Sequence, residues 1–384
     1  MGYRMLVSSY NQIGGGGINN QKMAIMGALM NAREKGIPFS VPLISEMDQV
    51  NGNYEKYGFD VLFHRQGIEE FCRRHAIGMV EYDEGNEFDE SYEAFFWKTF
   101  HILESDPFSG PDGMRDIFVD LINIFMPKIS GSDLFARLSE AIGNRVGEVA
   151  SCQFRIERDW IVHCRNELSK TASDCDELYV GYDAILYKIR NTFPDLRNLF
   201  ICVDEPAMPV VKDVIKKRSA EYGIHSMFKS DFIGPSEYDA LRPNERSLLD
   251  MELCINHSRF IGNTKSTFSN MVSVQRFCRN GTDDRDHIYN HRSMFLRRRL
   301  DRGVSISATN SVAFMDNEVL FRNGLILIDR DTNASLFDIR PGTRLVAQDI
   351  TDGGDVLCLR NISFNGRDFH DGVFACAKED VVRL

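Results

Sequence analysis

Short apolar runs alternate with longer runs of helical periodicity from residue 1 to about residue 300, and this alternation constrains the fold more than any other feature. It is typical of β/α units that build a mostly parallel sheet. The first unit runs from a strand at Tyr3–Ser8 through a glycine run into a helix that ends at Gly36. A second set begins near Ala150, so an α/β fold is predicted. Its strands are expected at Ser151–Ile156, Leu199–Val203 and Arg259–Ile261.

The C-terminal region has a different pattern. Short strand-like runs are divided there by turn pairs such as Asn323-Gly324, Gly353-Gly354 and Asn365-Gly366, which favour an all-β unit. We therefore predict three domains, at residues 1–148, 149–303 and 304–384.

Charge and hydropathy exclude several functions. With 45 Lys and Arg against 56 Asp and Glu, the net charge is -11, so the molecule repels polyanions and no nucleic-acid partner is expected. No apolar run approaches the roughly 18 residues that cross a bilayer, so no membrane span is expected. The nine cysteines include no C-x-x-C pair, and no signal sequence follows Met1. A cytoplasmic location is the prediction.

The first candidate binding element is the glycine run 14–17, between a strand and a helix. Backbone N–H groups at such a turn, together with a helix N-terminus, can receive an anion. The spacing is not the dinucleotide fingerprint G-x-G-x-x-G, because Asn19 and Asn20 stand where its last glycine would be. Those carboxamides, with Gln21, could hydrogen-bond polar ligand groups. A flexible turn followed by an ordinary N-cap remains the alternative.

The second element is the segment 153–160, QFRIERDW. In an extended strand the side chains of Arg155, Glu157 and Asp159 would share one face. Such a group suits a sugar nucleotide, since a guanidinium binds diphosphate and a carboxylate can orient or deprotonate an acceptor hydroxyl. A surface salt bridge of alternating sign is the alternative.

The third element is the segment 260–269, FIGNTKSTFS. It predicts a strand end, a turn at Gly262-Asn263 and a hydroxyl-rich helix start at which Ser266 and Thr267 would form a second phosphate cradle. An ordinary N-cap rich in Ser and Thr is the alternative.

Metal ligation is not predicted. Three D-x-D triplets occur, but the motif is short and common in acidic chains, and none follows a convincing central strand. They are Asp174/Asp176, Asp284/Asp286 and Asp329/Asp331.

Taken in order, the three elements resemble the motif set of the GDP-fucose O-fucosyltransferase superfamily, which includes the α1,6-fucosyltransferases. The family's G-G-x-N-x-Q turn is similar to residues 16–21, its H-x-R motif to the segment around Arg155, and its F-I-G-N motif with S-S/T-F-S behind it to residues 260–269. The resemblance covers roughly residues 3 to 275, and the third motif is the most specific. One departure is Gln153, which stands where the family has histidine.

The resemblance implies roles for individual residues. Arg155 would bind the donor's β-phosphate, with Asp159 supporting it, and Asn19 and Asn20 would hold the donor or acceptor near the anomeric carbon. Ser266, Thr267 and Phe268 would contact phosphates and nucleoside, and Asp250 would face the base. The motif positions Gly16, Gly17 and Asn263 are also assigned to the donor.

It also implies a GT-B fold, with two Rossmann-like domains and the donor in the cleft, and an inverting reaction that needs neither metal nor cofactor. The predicted function is transfer of fucose from GDP-fucose to a hydroxyl of a glycan or peptide. Glu157 is the first candidate for the general base, ahead of Glu46 and Asp48. The tail is similar in outline to the SH3-like barrel of the α1,6-fucosyltransferases. The alternatives are another donor, a UDP- or GDP-deoxysugar, or a protein that binds sugar nucleotide or carbohydrate without catalysis.

Overall fold

The computed structural model describes residues 4–11, 16–47, 54–104, 112–166, 178–282 and 287–290, single residues at 168, 284 and 296, and the strands of the tail. The described residues up to 290 form a mixed α/β structure with parallel sheets, and the described strands of the tail are antiparallel. Among the described residues, every helix is too short or too polar to cross a bilayer.

The first region is built on short parallel strands. β1 pairs with β6, β2 pairs with β5, and a parallel bridge between Ser8 and Phe39 joins the two pairs into the order β6-β1-β2-β5. An antiparallel hairpin, β3–β4, lies outside this order. The elements are β1 Leu6–Val7, α1 Ile18–Lys35, β2 Phe39–Ser40, β3 Ile44–Met47, β4 Tyr54–Tyr57, α2 Arg65–Arg74, β5 Met79–Val80, β6 Glu87–Phe88, α3 Tyr92–Glu104, α4 Asp112–Asn123 and α5 Asp133–Gly143.

The second region has one four-stranded parallel sheet of order β10-β7-β8-β9. β7 and β8 are buried on both faces, as helices on either side of a parallel sheet require. The elements are β7 Val149–Gln153, α6 Arg158–Asn166, α7 Tyr182–Thr192, β8 Asn198–Cys202, α8 Lys212–Glu221, β9 His225–Met227, α9 Pro235–Asp239, α10 Pro243–Asn256, β10 Arg259–Ile261 and α11 Thr267–Asn280.

Helix α1 is central rather than peripheral. The sequence predicts one apolar face carrying its methionines, but almost every side chain from Ile18 to Ala32 is buried, because α3 packs on one side of α1 and the second region on another. A Cβ at Gly27 would collide with the Phe95 carbonyl of α3, so this close approach requires glycine. The predicted end at Gly36 is confirmed, since Gly36 is a left-handed C-cap with φ of 65°.

One hydrophobic core spans the first region and part of the second. The same buried cluster contains Met26 of α1, Leu249 of α10 and Met271 of α11, so these helices pack together without a solvent layer. A second cluster, with Ile185 and Leu199, fills the other face of the second sheet. The division at residue 148 falls just before β7 and stays a prediction.

The tail forms antiparallel strands, in agreement with the expected all-β unit. Five strands make a sheet of order β16-β15-β14-β11-β17, and β12 pairs with β13. The predicted turn pairs lie outside the described residues, and the SH3-like comparison stays a prediction. The strands are β11 Asn317–Phe321, β12 Leu325–Asp329, β13 Ala334–Ile339, β14 Arg344–Asp352, β15 Val356–Phe364, β16 Arg367–Ala377 and β17 Val381–Arg383.

A lysine is buried where the two regions meet. The Lys22 amine lies 3.4 Å from the Met251 sulfur and 5.6 Å from the centre of the Phe125 ring. Nearby, Arg279 donates to both oxygens of Glu252, at 2.9 and 2.8 Å. Burial, and then repulsion from Arg279, lower the pKa of Lys22 to about 7, while attraction to Glu252 opposes the shift only in part.

This burial predicts a gain in stability when the amine is removed. Between about pH 7 and pH 10 the unfolded chain binds a proton at Lys22 that the folded chain does not, so the free energy of unfolding rises with pH there. The destabilisation caused by burying the Lys22 amine is therefore fully present below pH 7. We expect Lys22→Met to raise the free energy of unfolding by roughly 2–4 kcal/mol at pH 7 and by much less at pH 10. Urea unfolding at both pH values measures this, and equal effects at the two would contradict it.

Candidate functional site

The order in which the chain adds strands to the second sheet reverses at β7. The chain runs from β7 to β8 to β9 on one side and then returns to place β10 on the other side of β7. In open α/β sheets the crevice for ligands lies beyond the carboxyl ends of the strands at such a switch point. The second and third sequence elements follow β7 and β10, so the fold brings them together at this crevice.

Arg155 lies in the loop after β7. Its guanidinium donates to Glu157 at 2.9 Å and to Asp159 at 3.1 Å, and it stacks over the Trp160 ring at 4.8 Å. The three predicted residues do converge, but the predicted extended strand is wrong. β7 ends at Gln153, and Asp159 lies in the first turn of α6. The strand ends because the Arg155 N–H donates to the Tyr289 phenol rather than to a neighbouring strand.

The two carboxylates differ in environment. Glu157 is buried, with Oε2 accepting from Arg155 and Oε1 from the Asp204 N–H at 3.3 Å. Burial raises its pKa, and the attraction to Arg155 opposes that shift. The Asp159 side chain is 69% exposed. Glu157 therefore orients the Arg155 guanidinium from the buried side, while Asp159 contacts it from the solvent side.

The third element is joined to the second by a chain of hydrogen bonds. The Ser269 hydroxyl donates to Gln153 Oε1 at 2.5 Å and accepts from the Asn263 N–H at 3.0 Å. The Asn263 side chain contacts the Tyr289 phenol at 3.5 Å and accepts from the Lys265 N–H at 2.9 Å. The turn after β10 is thus fixed against the loop after β7.

The first element meets the third at their helix starts. The Thr267 hydroxyl, in the first residue of α11, donates to Asn20 Oδ1 in the first turn of α1 at 2.6 Å. Neither first turn carries an acidic residue. Ser266 is the N-cap of α11, and its hydroxyl makes no capping bond. Two long helices therefore begin close together, and the first turn of α11 is tied through Ser269 to Gln153 at the end of β7, two residues before Arg155.

The turn before α1 is tightly packed. A Cβ at Gly16 would come 2.7 Å from the Asn20 amide and 2.9 Å from the Tyr92 hydroxyl, so glycine is required. Gly17 is open and forms the N-cap of α1. Asn19 Oδ1 is buried and has no hydrogen-bond partner among the described residues.

Two further assigned residues have contacts of their own. Asp250 forms a buried ion pair with Lys229, which follows β9, and its other oxygen is buried without a partner among the described residues. The Asp250 carboxylate raises the pKa of Lys229 against the opposing effect of burial. Phe268, the second residue of α11, is half-buried and packs against the core. The assignment of Asp250 to the base stays a prediction.

Two residues of the site were missed from sequence. Asp204 follows β8 directly, at the sheet edge where ligands bind, and burial raises its pKa. An acidic residue just after a predicted strand is a signal that could have identified it. Tyr289 gave no such signal, because its contacts with Arg155 and Asn263 are long-range.

Of the D-x-D positions, Asp284 forms a buried ion pair with Arg276, and both side chains are 1% exposed. Asp329 belongs to strand β12, and the other four aspartates lie outside the described residues. Within the described part of the chain, no cluster of three or more His, Cys, Asp or Glu could hold a metal ion.

No protein-family model and no curated protein sequence matches the chain. Among solved structures, it is similar to POFUT1 in complex with GDP, with 13% identity over 75% of this chain and 98% of that chain and a TM-score of 0.46. It is also similar to POFUT1 in complex with GDP-fucose, in two crystal forms. Both show 12% identity and a TM-score of 0.47, covering 72% and 75% of this chain and 95% and 98% of those chains.

The site geometry predicts a structural cost for removing the Tyr289 hydroxyl. Tyr289→Phe would leave the Arg155 N–H and the Asn263 amide without their acceptor, and a buried donor that loses its partner costs about 1–3 kcal/mol. We expect the free energy of unfolding to fall by that amount in urea titrations. Tyr54→Phe, at an exposed tyrosine of β4, is the comparison and should cost less than about 0.5 kcal/mol. Equal losses would contradict the assignment.

Proposed function

We propose that the protein is a metal-independent, inverting glycosyltransferase that transfers fucose from GDP-fucose to a hydroxyl of a glycan or peptide. The observation that carries the proposal is the junction of the α1 and α11 N-termini, which is tied through Ser269 and Gln153 to the end of β7 at the switch point of the second sheet. The motif resemblance supports the choice of donor, and the geometry supports the class of ligand.

The junction suits a diphosphate. A helix N-terminus carries roughly half a positive charge and free N–H groups, so two such ends give about one positive charge. The Arg155 guanidinium is paired with Glu157 and Asp159 and contributes oriented N–H donors to a diphosphate. In a chain of net charge -11, this concentration of positive groups is local. Side chains can provide it without a divalent cation.

The chemistry follows from that placement. The acceptor oxygen forms a bond to the anomeric carbon from the face opposite the diphosphate, the bond from that carbon to the β-phosphate oxygen breaks with its electron pair, and the acceptor proton passes to a base. Inversion results. Arg155 and the helix N–H groups stabilise charge as it builds on the leaving diphosphate. Because both Glu157 oxygens already accept hydrogen bonds, we assign it to holding Arg155 rather than to taking the proton.

The remaining site residues have supporting roles in the proposal. Asn19 offers its unpartnered oxygen to a hydroxyl of the sugar or acceptor. Ser266 and Thr267 present the start of α11 to the phosphates. Asp204, after β8, is suited to bind a ribose diol, as the acidic residue after the second strand does in dinucleotide sites.

Calorimetric titration with GDP, and separately with UDP, in the presence of EDTA tests the donor. We expect GDP to bind and UDP to bind at least about tenfold more weakly, since base recognition is worth a few hydrogen bonds. Preference for UDP would change the proposed donor to a UDP-sugar and leave the proposed diphosphate site unchanged. Binding of neither nucleotide would contradict the proposal.

Arg155 variants test the mechanism. Arg155→Ala should weaken GDP binding by about 10–100-fold and lower the transfer rate further, because its charge acts most on the leaving diphosphate. Arg155→Lys keeps the charge without the bidentate geometry, so its GDP affinity and transfer rate should lie between those of the parent and of Arg155→Ala. Arg158→Ala is the matched control, since Arg158 is exposed in the same segment. Transfer at the parent rate by Arg155→Ala would overturn the mechanism.

A further inference from the structure

The β3–β4 hairpin of the first region contacts the N-terminus of α10 in the second. Glu46 Oε2, on β3, accepts from the Asn244 N–H at 2.9 Å and from the Tyr57 hydroxyl at 3.0 Å. Asn244 is the second residue of α10, which has no side-chain cap at its own N-cap, Arg242. A carboxylate that accepts from this N–H is the standard means of capping a helix. Glu46 therefore caps α10 from the other region.

The contact is buried and has further bonds. Glu46 is 7% exposed. The Asn244 side chain donates to the Tyr57 hydroxyl at 2.9 Å and to the Ser45 carbonyl at 3.3 Å. Arg242 lies 3.8 Å from the second Glu46 oxygen and over the Tyr57 ring at 4.9 Å. These groups fix the position of the carboxylate.

The neighbouring residue, Ser45, is tied to the glycine turn. The Gln21 side chain accepts from the Ser45 N–H at 2.8 Å and donates to the Ser45 carbonyl at 2.7 Å. The same Gln21 amide group also donates to the Gly16 carbonyl at 3.1 Å. Two adjacent residues of β3 therefore contact two helix starts. Ser45 binds the start of α1 through Gln21, and Glu46 binds the start of α10.

The connection reaches α11 through α10. Glu252 of α10 pairs with Arg279 of α11, and both side chains are largely buried. The path of contacts runs from Gln21 of α1 through Ser45 and Glu46 to α10, and from α10 to α11. It returns to α1 through the hydrogen bond between Thr267 and Asn20. The two helix N-termini are therefore joined by a closed ring of contacts.

We propose that Glu46 is a positioning residue that sets the spacing of the α1 and α11 N-termini and so the affinity for the diphosphate. This inference rests on the proposed function. It replaces the expectation that Glu46 is a candidate general base, because the Glu46 carboxylate is engaged by the start of a helix. Asp48, the other candidate, lies outside the described residues.

Three variants test the proposal with GDP as the probe. Glu46→Ala leaves the buried Asn244 N–H without an acceptor and should weaken GDP binding by about tenfold. Glu46→Gln keeps an acceptor oxygen but cannot take a proton, and should restore affinity and transfer to within about threefold of the parent. Glu55→Ala is the matched control, since this exposed carboxylate of the same hairpin pairs with Arg242 and should change affinity by less than about twofold.

A double-mutant cycle separates positioning from general loss of stability. Thr267→Val removes the other link between α1 and α11, so we expect the loss of GDP affinity in Glu46→Ala/Thr267→Val to be smaller than the product of the two single losses. Independent, multiplicative losses would overturn the proposal. If Glu46→Ala does not fold, Tyr57→Phe, which removes one donor from the same carboxylate, takes its place with an expected loss of about threefold.

The other outcomes are distinct. Parent affinity in Glu46→Ala overturns the proposal and leaves the proposed function intact. Normal GDP binding by Glu46→Gln with no transfer would make Glu46 the proton acceptor and also overturn it. A parent protein that binds no GDP overturns both this inference and the function on which it rests.

Discussion

Two helix N-termini that face each other repel, and the rest of the site depends on how this chain accommodates that repulsion. Neither α1 nor α11 begins with an acidic residue, which would be the usual local compensation. One hydrogen bond, from Thr267 to Asn20, joins the two starts. The cost is offset instead by burial of both helices in a shared core. The uncompensated positive ends are left for a ligand, so an anion placed between them gains attraction that the fold has already provided for.

Burial of α1 on nearly all sides has a consequence for motion. A cleft between two domains with separate cores opens by a hinge, but here one core runs from α1 into α10 and α11. Separating the regions would expose this core together with Lys22 and the Glu252–Arg279 pair. The fold itself therefore holds together the site proposed for the diphosphate. Preorganised donors of this kind stabilise developing charge without first having to rearrange.

The local parts of the structure could be predicted from sequence, and the long-range parts could not. The β/α alternation, the end of α1 at Gly36 and the strand Arg259–Ile261 depend on periodicity and on a residue that tolerates positive φ. The convergence of Arg155, Glu157 and Asp159 was expected for the wrong reason, since the loop and the first turn of α6 bring them together rather than a strand face. Tyr289, Lys22 and the capping of α10 by Glu46 depend on contacts between residues more than 100 positions apart, for which one sequence carries no pattern.

Gln153 links the loop after β7 to the turn after β10 without a titratable group. The residue ends β7, and its oxygen accepts from Ser269, which in turn accepts from the N–H of Asn263. A histidine acceptor in that position would titrate near neutral pH, whereas a carboxamide stays neutral. The link between the two loops is then insensitive to pH across the physiological range. The Arg155 guanidinium and the helix ends do not titrate near neutrality either.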